Sequence, residues 1–256
     1  MRQRDLAWTR SGSALPAWAK LLALQVRRDR GQVLGLLANV LVLPVAVAYM
    51  GLVLLPEGSD LRARWLCGSL VVACGGSCLG STFARAATDR WTGSGQLLAT
   101  LPIGVTAYVG VLLSYAVMQA LLVLGSGVLL LGVTGEVALG AVATLDLALV
   151  AVLTGLTLGG LGVGLAFLAP SPGGGDVLVG VAGLALAVIS PVFYSQSVLP
   201  PALGLLAQLS PYTHISELLL AAAGHGPQSN LSLLGLTMFA AGGVWLALAR
   251  SRLRVG

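Results

Sequence analysis

Charge is what this 256-residue chain has least of: 9% of its residues are Asp, Glu, Lys or Arg, against 57% hydrophobic. Soluble globular domains carry about 25% charged residues, so that class is excluded and lipid is the solvent for most of the chain. Lysine is almost missing. Lys20 stands alone and is not preceded by the pattern G-x-x-x-x-G-K-S/T, so the chain has no phosphate loop of its own. No large hydrophilic block is present, which excludes a sizeable attached soluble domain. A secretory signal is not expected either, because the first long apolar run starts near Val33, too far in and too long. Metal-ligating types are equally sparse. Cys67, Cys74 and Cys78 fall in one apolar run with no histidine or carboxylate nearby in sequence, which reads as packing in a helix interface rather than a metal or redox site. His214 and Glu217 lie at i, i+3 with His225 beyond, but the His-Glu-x-x-His order is absent. No metal site and no catalytic constellation are expected; the two polar residues are read as hydrogen-bonding to water, headgroups or backbone.

What the chain does contain is a series of membrane-length apolar runs, at about 33–55, 66–86, 106–133, 138–168, 177–195 and 229–249, each near the ~20 residues a spanning helix needs. Thr134-Gly-Glu136 makes the third and fourth a tight helical hairpin, and Ser171-Pro-Gly-Gly-Gly175 reads as a flexible turn. Ahead of the runs, 14–30 has Trp18, Leu22 and Val26 at i, i+4, i+8 with Lys20, Arg27, Arg28, Asp29 and Arg30 on the polar part: an amphipathic interfacial helix, or else a plain basic flank. The fold class expected is therefore an all-α membrane protein of six transmembrane helices. Residues 1–32 form a cytoplasmic tail with the amphipathic helix, and 33–256 form the membrane domain.

The net charge of +5 is carried by arginines set beside the runs, which points to headgroups and not to nucleic acid. Arginines crowd the N-terminal tail, the loop after the second run (Arg85, Arg90) and the C-terminal tail (Arg250, Arg252, Arg254). The opposite side has Arg62 and Arg64, diluted by Glu57 and Asp60. Both termini are expected to be cytoplasmic. Asp146 is the one carboxylate well inside a run; it is either a functional intramembrane charge or a residue reaching the outer interface. Gly76/Gly80, Gly155/Gly159 and Gly160/Gly164 have the small-xxx-small spacing of close helix approach, within one chain or between copies.

Two connections are unusual. Between the fifth and sixth runs the chain carries four prolines and two apolar pieces, 202–209 and 214–223, too short to span. Such pieces read as re-entrant or interfacial. At membrane depth they need protein or a water-filled cavity around them, which points to a translocation apparatus. With cytoplasmic termini this hairpin, 196–223, is on the outer side. The other connection, 85–103, joins polar residues, a Gly-x-Gly turn and a short apolar helix-like stretch closed by Pro102, a suitable lever for a soluble motor.

Together these segments resemble the membrane subunits of ABC-2 type transporters, whose loop after the second span reads E-R-E-x-G-T-L-E-x-L-L-x-T-P. The matching residues here are Thr88-Asp-Arg-Trp-Thr-Gly-Ser-Gly-Gln-Leu-Leu-Ala-Thr-Leu-Pro102, with Asp89 retained and Gln96 where Glu is common. The outer hairpin of the family resembles Ser190 through Leu220. The resemblance implies a permease that is not itself an enzyme and binds no cofactor, driven by ATP and Mg on a separate ABC ATPase subunit. It implies a homodimer or heterodimer of permeases in the inner membrane, in contact with membrane lipids, exporting a hydrophobic, drug-like, lipid or lipid-linked glycan cargo. It assigns coupling to the ATPase to 88–101 (Thr88, Asp89, Arg90, Gly93, Gln96, Leu97, Leu98 and the closing Pro102). It assigns the outer gate to Pro191, Tyr194, Leu199, Pro200, Pro201, Pro211, His214 and Glu217. Two other classes remain open: an ion-coupled secondary transporter using Asp146, and a membrane-embedded enzyme using His214, Glu217 and His225.

Overall fold

A computed structural model describes residues 42–56, 59–92, 105–133, 141–169, 171–225 and 230–252, and among them every regular element is helical. The amphipathic segment 14–30, the start of the first run, the connection 93–104 and the link 134–136 lie outside the described residues. Helix α1 is Leu43–Leu54. Helix α2, Asp60–Cys74, passes through a π-helical turn, Gly75–Gly80, into α3, Ser81–Trp91. Then follow α4, Val105–Val133, and α5, Ala141–Leu168. Helix α6 is Pro172–Ile189, and after a 3-10 turn at Gln196–Val198 come α7, Pro201–Gln208, and α8, Pro211–Ala222. Helix α9 is Asn230–Arg252. Four of the described helices are long and apolar enough to cross a bilayer, namely Asp60–Trp91, Thr106–Gly127, Leu145–Leu168 and Asn230–Ala249; Gly174–Ile189 is a shorter apolar helix. This is an all-α membrane protein.

Four boundaries differ from the hydropathy reading, each for a physical reason. The second run, expected over 66–86, is helical from Asp60 to Trp91. Ser59 caps it, its hydroxyl accepting from the Arg62 N–H, and Asp60 sits in the first turn where the helix dipole favours a negative charge. At the other end, partners on neighbouring helices hold the charged residues that hydropathy had assigned to a loop. The fifth run, expected over 177–195, is α6. Ser171 caps it, accepting from Gly174 N at 3.2 Å, and Pro172 occupies its first turn. The segment Ser171 to Gly175 is thus a helix start and not a flexible turn. Gly175 is buried there, and a Cβ on it would meet Phe83 at 2.6 Å. Helix α6 stops at Ile189 because Pro191 disfavours helical geometry at Ser190.

Helix α5 is the centre of the bundle, with its largest contacts to α9 and α4, followed by α3. Glycines make that possible. A Cβ on Gly155 would stand 2.5 Å from Val117 Cα on α4, and one on Gly160 would stand 2.4 Å from the Gly243 carbonyl carbon on α9. The pairs Gly155/Gly159 and Gly160/Gly164 therefore pack within the chain, against α4 and α9. A Cβ on Gly76 or Gly80 would meet nothing within 4 Å among the described residues.

The apolar interior divides into two clusters. One joins α2, α4, α5 and α8 through Leu66, Leu70, Leu124, Leu158, Tyr212 and Ile215. The other lies toward Trp91 and joins Phe83, Ala86, Val109, Leu112, Val163 and Ala247. Val177, Val181, Leu184 and Val188 on α6, and Leu231, Leu234, Met238 and Trp245 on α9, are exposed. Apolar stripes turned outward are what a helix shows to lipid.

Candidate functional site

At the Trp91 end, α3 presents a polar row to α4. Ser81 Oγ donates to Gln119 Oε1 at 2.5 Å, and Gln119 Nε2 donates to Tyr115 Oη at 3.1 Å. One turn on, the Arg85 guanidinium lies 3.9 Å from the centroid of the Tyr115 ring. One turn further, buried Asp89 accepts from Tyr108 Oη at 2.8 Å. Ser81, Arg85 and Asp89 are spaced four apart, so a single helix face carries all three. Of the residues tied to motor coupling, Thr88 is exposed, whereas Asp89 and Arg90 turn into the membrane domain. Arg90 Nη1 lies 2.8 Å from the carbonyl oxygens of Ala166 and Ala169 and 3.3 Å from that of Phe167. The last carbonyls of a helix lack intrahelical donors, and a cation there also suits the dipole. Gly93, Gln96, Leu97, Leu98 and Pro102 lie outside the described residues. Tyr108, Tyr115 and Gln119 went unnoticed in the sequence. Their signal was present as polar or aromatic positions seven and four apart in an apolar run.

At the other end, the segment after α6 folds back into the bundle. Pro191 and Val192 are buried, and a Cβ on Gly68 would meet the Val192 carbonyl oxygen at 2.5 Å. The Ser190 and Ser210 hydroxyls pair at 2.6 Å, joining the two ends of the segment that carries α7. Tyr194 Oη donates to the Val188 carbonyl at 3.2 Å, and Leu199 N to the Gln196 carbonyl at 3.1 Å. Pro200 and Pro201 start α7 and are exposed, while Pro211 starts α8 and is buried. Thr213 Oγ1 donates to the Ala207 carbonyl at 2.6 Å, which fixes the α7–α8 corner.

Helix α8 lies along α2. Near its C-terminal end, His225 Nδ1 is 4.0 Å from Asp60 Oδ1. Near its N-terminal end, Tyr212 is buried with its hydroxyl against Gly75, where an added Cβ would be 1.6 Å away. Asp60 and Gly75 are separated by the whole of α2, whose 15 residues rise about 22 Å. His214 Nε2 is 2.9 Å from the Gln208 carbonyl oxygen, and its ring is 5.8 Å from that of Phe239. Glu217 accepts from Ser232 on α9. His214 and Glu217 thus hold α8 to α7 and to α9, and His225 sits at the far end with Asp60. Among the described residues no three histidine, cysteine or acidic side chains converge as metal ligands. Asp146 is half-buried on α5 and lines a cavity of about 100 Å³ with Leu149, Leu218, Ala222, Asn230 and Leu233. The three cysteines are free thiols buried between helices, and Cys78 Sγ donates to the Ala116 carbonyl at 3.4 Å.

Compared with known families, residues 98–223 match the family model of the ABC-2 type transporter. These residues belong to the ABC-2 type transporter family. The match begins at Leu98, before α4, and ends at Ala223, immediately after α8, so it takes in the proline-broken segment whole. No curated protein matches the chain. The match supports a membrane transport component, and the family implies an ABC ATPase partner.

Proposed function

We propose that this permease is one half of an ATP-driven exporter of the inner membrane, with six spans, both termini inside, and the segment 196–223 re-entering the membrane from outside. The carrying observation is the placement of α8: it is buried, begins with a proline and runs beside α2 to a depth of about 22 Å from Asp60. Backbone of that kind is tolerated at membrane depth where protein encloses it, which suits a gate. Two such chains, identical or related, enclose the pathway, and the segment 88–101 meets an ATPase that binds ATP and Mg. Closure of the motors displaces 88–101 and opens the outer hairpin around Pro191, Tyr194, Leu199, Pro200, Pro201, Pro211, His214 and Glu217. The cargo is hydrophobic or lipid-linked, in keeping with the apolar walls.

The test is purification from mild detergent with the ABC ATPase expressed alongside, followed by cargo-stimulated ATP hydrolysis in liposomes. Co-purification and stimulation are expected, and Gln96→Arg or Leu97→Arg should hydrolyse ATP without moving cargo. Transport that survives ATP depletion and fails with Asp146→Asn would instead establish an ion-coupled carrier.

A further inference from the structure

We propose that Arg90 is a positioning residue that transmits movement of the 88–101 segment to α5, and that it does not serve as a contact for the motor. This rests on the reading of that segment as the place where the motor acts. The connection 93–104 follows α3, which ends at Trp91, and precedes α4, which begins at Val105, so a push on it reaches both helices. Arg90 directs that push. Its Nη1 bridges the carbonyls of Ala166, Phe167 and Ala169, joining the end of α3 to the end of α5. The neighbouring Asp89 is joined to Tyr108 in the first turn of α4. The two ends of the connection and the end of α5 are thereby held as one body.

The path onward is made of backbone contacts. A Cβ on Gly162 would meet the Leu79 carbonyl oxygen at 2.5 Å, so α5 and the π-helical turn leading into α3 touch directly. Gly160 touches Gly243 of α9. At the far end of α5, Val150 and Ala151 share a buried cluster with Ile215 and Leu219 of α8. A 28-residue helix is about 42 Å long, enough to carry a tilt from the Arg90 end to the gate. Close-packed helices transmit such displacement because they have little room to deform.

One nitrogen serves all three carbonyls, which makes a sharp distinction among substitutions. A lysine ammonium has three donors on a single atom and keeps the positive charge at the helix end. Arg90→Lys should therefore retain the function, while Arg90→Gln, which removes the charge, should not. The first measurement uses the chain alone in nanodiscs, with Cys67, Cys74 and Cys78 replaced by alanine and spin labels at the exposed positions Thr88 and Leu168. A narrow distance distribution is expected for Arg90 and Arg90→Lys, and a broadened one for Arg90→Gln. The second uses the complex with the ATPase: cargo moved per ATP should fall about tenfold in Arg90→Gln and recover in Arg90→Lys. An unchanged distance distribution in Arg90→Gln overturns the proposal. So does loss of ATPase co-purification in that variant, since Arg90 would then be a docking contact. If the wild-type chain recruits no ATPase, the transport reading falls, while the distance measurement still decides whether Arg90 joins α3 to α5.

Discussion

Replacing Gly160 by alanine should separate two helices that now touch through their backbones. The added Cβ would lie 2.4, 2.6 and 2.7 Å from the carbonyl carbon, oxygen and Cα of Gly243. Ordinary carbon contacts are ~3.5–4.0 Å, so α5 and α9 must part by about 1 Å. Overpacking of that size costs about 1–3 kcal/mol. Alanine recovers up to ~1 kcal/mol through its better helix propensity, leaving a net loss of about 1–2 kcal/mol.

Two companion substitutions turn that figure into a test. In Gly243→Ala the new Cβ meets its nearest neighbours at 3.0, 3.3 and 3.5 Å, a fit that small adjustments absorb, so the change should stay within ~1 kcal/mol. In Gly80→Ala nothing lies within 4 Å, and the change should be neutral or mildly stabilising. Reversible unfolding in mixed micelles, followed by tryptophan fluorescence, measures all three. Gly160→Ala no less stable than Gly80→Ala would refute the claim that α5 and α9 meet at backbone distance.

Gly75→Ala drives a methyl into the Tyr212 hydroxyl, and Tyr212→Phe relieves part of the clash, since the ring carbon Cζ is still 2.6 Å away. A double-mutant cycle on stability should therefore show coupling of at least ~1 kcal/mol, and simple additivity would separate Tyr212 from the π-helical turn. Cys67, Cys74 and Cys78 are 0–2% exposed and should react with a membrane-permeant maleimide far more slowly than an Ala84→Cys variant at an exposed position of α3, as mass spectrometry can determine. Tyr108→Phe takes the donor from buried Asp89 and should lower stability in the same unfolding assay by about 1–3 kcal/mol.

Hydropathy located the helices whose surroundings are uniform. The run 106–133 became α4 within one residue. It failed where a partner decides. Arg85, Asp89 and Arg90 looked like loop residues, but Tyr115, Tyr108 and the carbonyls at the end of α5 hold them in a helix. Those partners lie 19 to 79 positions away in sequence, beyond any local window. The glycine run after Ser171 failed for the same reason, because Phe83 and Trp91 pack on Gly175 and favour the helix. The proline-broken segment was legible as two short pieces, 202–209 and 214–223, close to α7 and α8. That α8 is the buried piece and α7 the exposed one was not legible, since α8 is the more polar string of the two. The difference comes from Thr213, His214 and Glu217, whose hydrogen bonds to Ala207, Gln208 and Ser232 seat α8 against its neighbours.

The distribution of glycines in α5 also says which helices can move. Successive helix positions are turned by about 100°, so Gly155 and Gly162, seven apart, share one face toward α4 and the start of α3, while Gly160 faces away from them toward α9. Each contact reaches backbone atoms, and sliding along any of them would force side chains through the gap a glycine leaves. The helices α3, α4, α5 and α9 are therefore bound to move together. Helix α6 is held differently. Gly180 meets nothing, Gly183 finds its nearest neighbour at 3.8 Å, and Val177, Val181, Leu184 and Val188 face outward. Gly175 rests on Phe83 at one end and Ser190 pairs with Ser210 at the other, while between them Leu178, Val179, Leu186 and Ala187 pack against the two apolar clusters. A tilt of α6 must carry that packed face with it. Helix α6 ends where the proline-broken segment begins, so any tilt of α6 bears on the Ser190–Ser210 pair and, through it, on the corner that leads into α8.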